Sequence, residues 1–367
     1  MTEEKRIDPW GSELVDYVHL IKEFGMEKFP EEYAKKLKHR LFERGMVVAH
    51  RDFKKVMERI EHKKPFIQMT GIATSGKLHF GHKVDIDLFL FFKSIGAHSY
   101  FAACDIDAYT SRPKIKSMKE AKENAVDNVA HALALGIDEK EIYVQSQKDP
   151  RYYEFAFEIS KRVTENEHRA VYGSVDLGKV SANILQYADI LHQQLPEYEG
   201  KMPSITGIAP DQDPHARVTR DVAQRLLQVY DIELPSFIYF MHQSGLQEGK
   251  KMSSSEPDTA IFLDDSPAEV KRKIGKAFTG GRDTVQEQRE KGGKPEVCKI
   301  YELYKFHHPD SKFVQDVCEK CKKGELLCGE DKKMAIEFLG SFLEEHQRKY
   351  KEALPKAKRI VYGEGKK

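Results

Sequence analysis

The sequence predicts an α/β fold, a parallel sheet flanked by helices, followed by an all-helical C-terminal domain. Three observations predict it. Between about residues 65 and 240, short apolar runs alternate with amphipathic helical stretches, the pattern of parallel strands joined by right-handed helical crossovers. Beyond about residue 280 the strand signal fades and apolar residues recur at helical spacing. Polar clusters follow the predicted strands, at Thr70 to His82, Asp105 to Tyr109 and Asp211 to His215, where open α/β sheets bind their ligands.

In chain order, residues 1–62 are charged and read as a helical extension. Leu14, Tyr17, Val18, Ile21 and Phe24 fall on one helical face, and Pro30 opens a second helix in its first turn. The sheet domain is expected over 63–278. Pro65 to Met69 reads as its first strand, ending at Thr70-Gly71, and 81–95 as the helix that follows. Ser99 to Cys104 reads as the next strand, 117–135 as a helix closed by Gly136, and Glu141 to Val144 as a third strand. Ser204 to Ile208 and Phe237 to Phe240 complete the strands, with a helix over 216–229 between them. A helical domain is expected over 279–367, with helices at 311–322 and 330–353, the second carrying Met334, Ile336, Phe338, Leu339, Phe342 and Leu343.

Composition narrows the class. A chain of 367 residues suits two domains and an appendage. With 40% hydrophobic and 32% charged residues it has the mass for packed cores, which excludes global disorder. The longest apolar run, Leu88 to Phe92, stops at Lys93, far short of a membrane span. The polar start, Met1 to Arg6, has no signal-peptide core, and five Cys are an odd count for a disulfide scaffold. A reducing, cytoplasmic setting is therefore expected. The 60 Lys and Arg balance 59 Asp and Glu, so any nucleic acid must meet a local patch. Residues 349–367 offer one, with seven Lys and Arg against two Glu.

Two motifs carry chemistry. The first, Thr74-Ser75-Gly76-Lys77-Leu78-His79-Phe80-Gly81-His82, directly follows the first sheet-domain strand. It opens a helix whose N-terminal N–H groups and dipole suit phosphate. Gly81 lets a bulky ligand lie on the backbone, and two imidazoles can donate to a phosphate in its transition state. The second, Gly249-Lys250-Lys251-Met252-Ser253-Ser254-Ser255, follows the last strand and combines mobile cations with hydroxyls.

Together they resemble the HIGH and KMSKS signatures of class I aminoacyl-tRNA synthetases, in order, separation and placement at strand ends. The resemblance covers about residues 8–355. Within the class the chain is most similar to the archaeal and eukaryotic type of tryptophanyl-tRNA synthetase. It shares with that type Asp8-Pro9-Trp10, Asp211 to His215, Arg217 to Asp221, Ala277 to Thr284, Gln288 to Gly293 and Glu345-His346-Gln347. The near relatives are the tyrosyl enzymes. A rival from another class is a synthetase-like RNA-binding protein that does not aminoacylate.

The resemblance implies a Rossmann-like catalytic domain with a connective insertion over about 115–200, and a helical anticodon-binding domain. It implies attack of the L-tryptophan carboxylate on the α-phosphate of ATP, loss of pyrophosphate, and transfer of the acyl group to tRNA(Trp), with Mg²⁺ accompanying ATP and a homodimer as the working unit. No covalent enzyme intermediate is needed, so positioning and electrostatics do the catalysis. His79 and His82 would brace the phosphates. Gly71 and Gly81 would make room for the nucleotide, and Asp211 would accept from its ribose. Lys251 would follow the charge on pyrophosphate, with Met252, Ser253, Ser254 and Ser255 completing that loop. Gln186, Gln212 and Asp107 would hold the amino-acid ammonium.

At the ring end the chain departs from the pattern. Eukaryotic-type tryptophanyl enzymes hold the indole N–H with a Tyr and a Gln, and the matching positions here are Met69 and Ala102. Asp189 is the replacement expected to accept it, as an Asp does in a similar segment of bacterial tryptophanyl enzymes. Met69 suits an indole face. Tyrosyl enzymes also carry an Asp here, paired with a Tyr that this chain lacks.

Cys104 is expected to be buried structure. Cys298, Cys318, Cys321 and Cys328 cluster in sequence, with a C-x-x-C at Cys318 and Cys321. Cys298, Cys321 and Cys328 also match the spacing of an iron–sulfur site of some bacterial tryptophanyl enzymes, but Asp331 stands at the fourth position. Free thiols are the expectation there, ahead of a cluster or Zn²⁺.

The resemblance at Asp8-Pro9-Trp10 leads to the expectation that the N-terminal block closes over the site. Deleting residues 1–12 should raise the apparent KM for ATP or amino acid, and steady-state kinetics indistinguishable from the full chain would refute this.

Overall fold

The computed structural model describes residue 21 and residues 24–250, 252–254 and 256–363. The apolar face from Leu14 to Val18, Asp8-Pro9-Trp10, Lys251 and Ser255 lie outside the described residues. Among those described, seven strands form one sheet: β1 (Glu27–Lys28), β2 (Val47–Arg51), β3 (Phe66–Ala73), β4 (Ala97–Cys104), β5 (Ile142–Val144), β6 (Ser204–Ile208) and β7 (Ser236–Phe240). Their order is β1-β2-β7-β6-β3-β4-β5. From β7 to β5 every pairing is parallel, with Phe66 opposite Ala97 and Ala73 opposite Cys104 along β3 and β4. The five strands read from the sequence are all present.

The N-terminal block differs from expectation. Its helices are short, α1 (Glu31–Leu37), α2 (Arg40–Glu43) and α3 (Lys54–Glu61), and β1 and β2 lie among them. β2 pairs antiparallel with β7 and so extends the sheet. The run Met46-Val47-Val48-Ala49 is the signal for it, short enough to be absorbed into a helical reading of the surrounding charges.

The remaining helices are α4 (Phe80–Ser94), α5 (Asp105–Ser111), α6 (Met118–Leu135), α7 (Pro150–Ser160), α8 (Glu165–Tyr172), α9 (Leu177–Leu191), α10 (Asp213–Leu226), α11 (Pro267–Lys276), α12 (Val285–Lys291), α13 (Lys299–His307), α14 (Ser311–Lys322) and α15 (Cys328–Tyr362). Local chemistry sets their ends. Ser117 caps α6 by accepting from the Glu120 N–H, and Gly136 closes it at φ 114°. Ser266 and Glu269 cap α11 reciprocally, with Pro267 in its first turn. α10 starts three residues before the expected 216, because Asp213 and Pro214 belong to its first turn.

The chain runs β3, β4, β5 in one direction and returns to place β6 on the other side of β3. This reversal is a topological switch point, and its crevice opens at the carboxyl ends of β3 and β6. The C-terminal region is helical as expected. α15 runs nine residues beyond the expected 353 and carries Pro355 inside it. Its Leu339, Leu343, Ala357 and Val361 share one core with Ala125 and Val129 of α6 and Phe80 of α4. His131 bonds His346 at 2.8 Å, and the Tyr350 hydroxyl donates to Asp127 at 2.7 Å, so α15 is joined to α6 by polar as well as apolar contacts.

The Gln288 to Gly293 segment also has a structural reason. Gly292 has φ 69°, and a Cβ there would stand 1.8 Å from the Lys322 carbonyl oxygen. The next N–H, of Gly293, donates to the Cys321 carbonyl at 2.8 Å. Gly292→Ala should therefore destabilise the C-terminal helices by more than about 2 kcal/mol, through both backbone strain and a backbone clash. Thermal unfolding of the purified chain measures this, and an unchanged Tm would exclude it.

Candidate active site

α4 begins immediately after the first motif. His79 is its N-cap, and its Nδ1 accepts from the Gly81 N–H at 3.1 Å. In return the His79 N–H donates to His82 Nδ1 at 3.2 Å, closing a capping box. The two rings lie 4.0 Å apart between centroids. With both Nδ1 atoms used as acceptors, the neutral tautomer carries its proton on Nε2. Burial keeps both rings neutral, pushing His79 well below the ordinary imidazole range and His82 down to about 4. A Cβ at Gly81 would stand 2.8 Å from the His79 ring, so glycine is required there by the cap itself.

The second motif folds against the first. The Ser254 hydroxyl donates to the Lys77 carbonyl at 3.0 Å, the Ser253 N–H reaches Thr259 at 3.3 Å, and Met252 is buried. Between the two motifs and the strand ends opens a cavity of about 780 Å³. His79, Gly81, His82, Met252, Ser253 and Ser254 line it, as do Gly71, Met69, Asp107, Gln186, Asp189, Asp211 and Gln212. Every described residue expected in the site therefore reaches one cavity. Ala102 packs beneath it, fully buried.

Asp189 on α9 is buried and accepts three strong hydrogen bonds. The hydroxyls of Tyr143 and Tyr152 both donate to its Oδ1 at 2.7 Å, and Gln145 Nε2 donates to Oδ2 at 2.7 Å. Cys104 Sγ lies 3.9 Å from Oδ2, at the distance of a weak thiol contact. Cys104 is buried, as expected. Burial raises the Asp189 carboxyl to about 6 against the pull of these donors. Gln145 also accepts from the Asp107 N–H at 3.0 Å, tying the α5 turn to the same network. Burial raises the Asp107 carboxyl, while Ser111 donates to it at 2.7 Å.

The sequence reading missed several cavity residues. Asp85 lies one turn past His82 on α4, a polar residue in an apolar helix. Arg112 and Lys114 follow α5, and the buried Nε of Arg112 has no partner among the described residues. The Ser111-Arg112-Pro113-Lys114 run was the available signal. His242 Nε2 lies 2.9 Å from Asp211 Oδ1, joining the ends of β7 and β6.

All five cysteines are free thiols, and among the described residues no group of three or more His, Cys, Asp or Glu is placed to hold a metal ion. A Cβ on Gly281 or Gly293 would stand 2.9 Å from Cys328 Sγ or 2.7 Å from Cys321 Sγ, so these thiols fill space that the two glycines leave. Burial raises the Asp331 carboxyl to about 6, which further weakens it as a ligand. No described helix is long and apolar enough to cross a membrane.

A doubly wound crevice joined to two phosphate-type loops defines a nucleotide-using enzyme of the class I synthetase type. The model of the family "tRNA synthetases class I (W and Y)" matches residues 61–344, and the chain belongs to that family. Within it the chain is a tryptophanyl-tRNA synthetase of the archaeal and eukaryotic type. The tryptophan–tRNA ligase of Aeropyrum pernix is 40% identical, covering 98% of this chain and 97% of that protein. That of Methanocaldococcus jannaschii is 38% identical, covering 97% and 98%. The crystal structure of tryptophanyl-tRNA synthetase from Aeropyrum pernix has a TM-score of 0.87 at 39% identity, covering 95% of each chain.

Behind the cavity, α4 is held by buried charge. Lys83 Nζ bonds Asp87 at 2.8 and 2.9 Å, and Arg40 bonds the same carboxylate. Burial alone would raise Asp87, but Lys83, His307 and Arg40 override it and hold the carboxyl well below the ordinary range. A carboxylate with a depressed folded pKa stabilises above the unfolded value of about 4 and loses that contribution as pH falls below it. Asp87→Asn should thus destabilise by about 3–5 kcal/mol at pH 7, leaving two cations uncompensated. The gap in Tm from wild type should close as pH falls below about 4, and a gap independent of pH would rule out the electrostatic account.

Proposed function

We propose that the chain activates L-tryptophan with ATP to form tryptophanyl-adenylate and transfers the tryptophanyl group to tRNA(Trp). The observation that carries this reading is the cavity at the switch point, with capped neutral imidazoles at one end and the Asp189 network at the other. ATP lies with its phosphates at the start of α4. His79 and His82 donate from Nε2–H to the phosphates, so they stabilise charge in the transition state without competing as bases. Lys251, with Ser253, Ser254 and Ser255, follows the charge that develops on pyrophosphate. Arg112 and Lys114 add cationic charge on the same side; the Lys114 ammonium lies 3.6 Å from where a Cβ on Gly76 would be. Mg²⁺ accompanying ATP would neutralise phosphate charge.

Tryptophan lies across the strand ends with its ring against Met69. Oδ2 of Asp189 keeps room for one more donor, since each carboxylate oxygen accepts two bonds, and we assign the indole N–H to it. Gln186, Gln212 and Asp107 receive the ammonium; the Gln186 side chain has no hydrogen bond to any described residue, which suits a group awaiting a ligand. A homodimer in the cytoplasm, with tRNA meeting the basic C-terminal edge, completes the reading. Exposed Phe157 and Leu177 on the insertion supply apolar surface for a second copy.

ATP–pyrophosphate exchange tests the reading, with tryptophan or tyrosine as the only amino acid. Exchange with tryptophan alone is expected. His82→Ala should lower kcat by about 10²–10³ with little change in the KM for tryptophan, as expected for a group that acts on the transition state. Exchange with tyrosine would shift the assignment to the tyrosyl relatives, and none with either would favour a binding protein.

A further inference from the structure

We propose that Asp85 reads the base of the nucleotide, accepting from the exocyclic amine of adenine and donating to the neighbouring ring nitrogen. The inference rests on the reading of the cavity as an ATP site and adds to it a residue that determines specificity.

Asp85 follows His82 by three positions on α4, so it points to the same side of the helix and lines the cavity just inside the phosphate end. No other described residue hydrogen-bonds its carboxyl. A half-buried polar group with that much unused capacity suits a ligand. Its surroundings indicate which one. Gly207, Ile208 and Ala209 at the end of β6 and Phe240 and Met241 at the end of β7 line the same region, an apolar slot for a planar ring. The charged neighbour felt by Asp85 is Asp211, the residue expected at the ribose. The acceptors expected for the amino acid, Gln186 and Asp107, stand on other elements, α9 and α5.

The protonation state agrees with this placement. Burial, reinforced by the Asp211 charge, raises the Asp85 carboxyl to about 8. Burial therefore favours the neutral acid, a poor partner for an ammonium. A neutral carboxyl presents one donor and one acceptor side by side. Adenine presents an amine donor next to a ring-nitrogen acceptor, the same pattern in complement.

The test is tryptophan-dependent pyrophosphate exchange by the full chain, with ATP and with purine riboside triphosphate, which lacks only the exocyclic amine. Wild type should prefer ATP by about tenfold or more in kcat/KM, the scale of one lost polar contact. Asp85→Ala should raise the KM for ATP about tenfold, leave the KM for tryptophan unchanged and bring the ATP-to-analogue ratio near one. Asp85→Asn keeps one donor and one acceptor and should restore most of the ratio. A wild-type ratio near one overturns the proposal without any variant. So does an Asp85→Ala ratio equal to wild type, or a KM change confined to tryptophan. A wild-type chain that shows no exchange with tryptophan overturns the ATP-site reading itself, and the proposal with it.

Discussion

The start of α4 is the constraint on which the rest of the site depends. A helix N-terminus leaves its first N–H groups without intrahelical partners. Here two of those donors are satisfied by the imidazoles of the motif itself, through the reciprocal bonds of His79 and His82. That single arrangement fixes both tautomers, turns both Nε2–H groups into donors and requires glycine at position 81. Hydrogen bonding and burial act in the same direction, since a charged ring would have to place a proton on the nitrogen that accepts from the backbone. The chemistry proposed for the cavity follows from the cap.

The rear of α4 connects this start to the C-terminal helices. Phe80, between the two histidines, packs edge-on against His307 of α13 at 4.9 Å and against Phe342 of α15 at 5.3 Å. His307 Nε2 bonds the Gln243 side chain at 2.7 Å, and Gln243 lines the cavity. The Lys83 ammonium lies 5.2 Å from the Phe342 ring centre, on the same side as its Asp87 partner. The helical region is thus in direct contact with the motif through side chains in van der Waals range.

Much of this was legible in the sequence, for identifiable reasons. β3 to β7 are buried parallel strands, which leave compact apolar runs. α6 carried its own stop signal in Gly136, and the motif histidines sit where a strand hands over to a helix. β2 was not legible, because Val47 to Ala49 is a three-residue run between charged segments and its partner β7 lies far along the chain. The partners of Asp189 were equally hidden. Tyr143 and Gln145 come from β5 and the turn after it and Tyr152 from α7, a convergence that no local spacing records. The reciprocal clearance between Gly281, Gly293 and the cysteines was also invisible, since thiols that fill space have the same spacing as thiols that bind metal.

The charges of the cavity divide it without a wall. Among the described residues four carboxyls line it, at Asp85, Asp107, Asp189 and Asp211, beside the cations Arg112 and Lys114. Were all four ionised, the cavity would repel a triphosphate. Burial works against that by raising Asp85 to about 8 and Asp189 to about 6, and by raising Asp107. His242 Nε2 lies 2.9 Å from the fourth, Asp211. Asp189 and Asp107 stand on α9 and α5, and the capped helix start is that of α4. A cationic or N–H-bearing group is therefore favoured at one end and an anionic group at the other, which would orient the amino acid and the triphosphate of the proposed reaction.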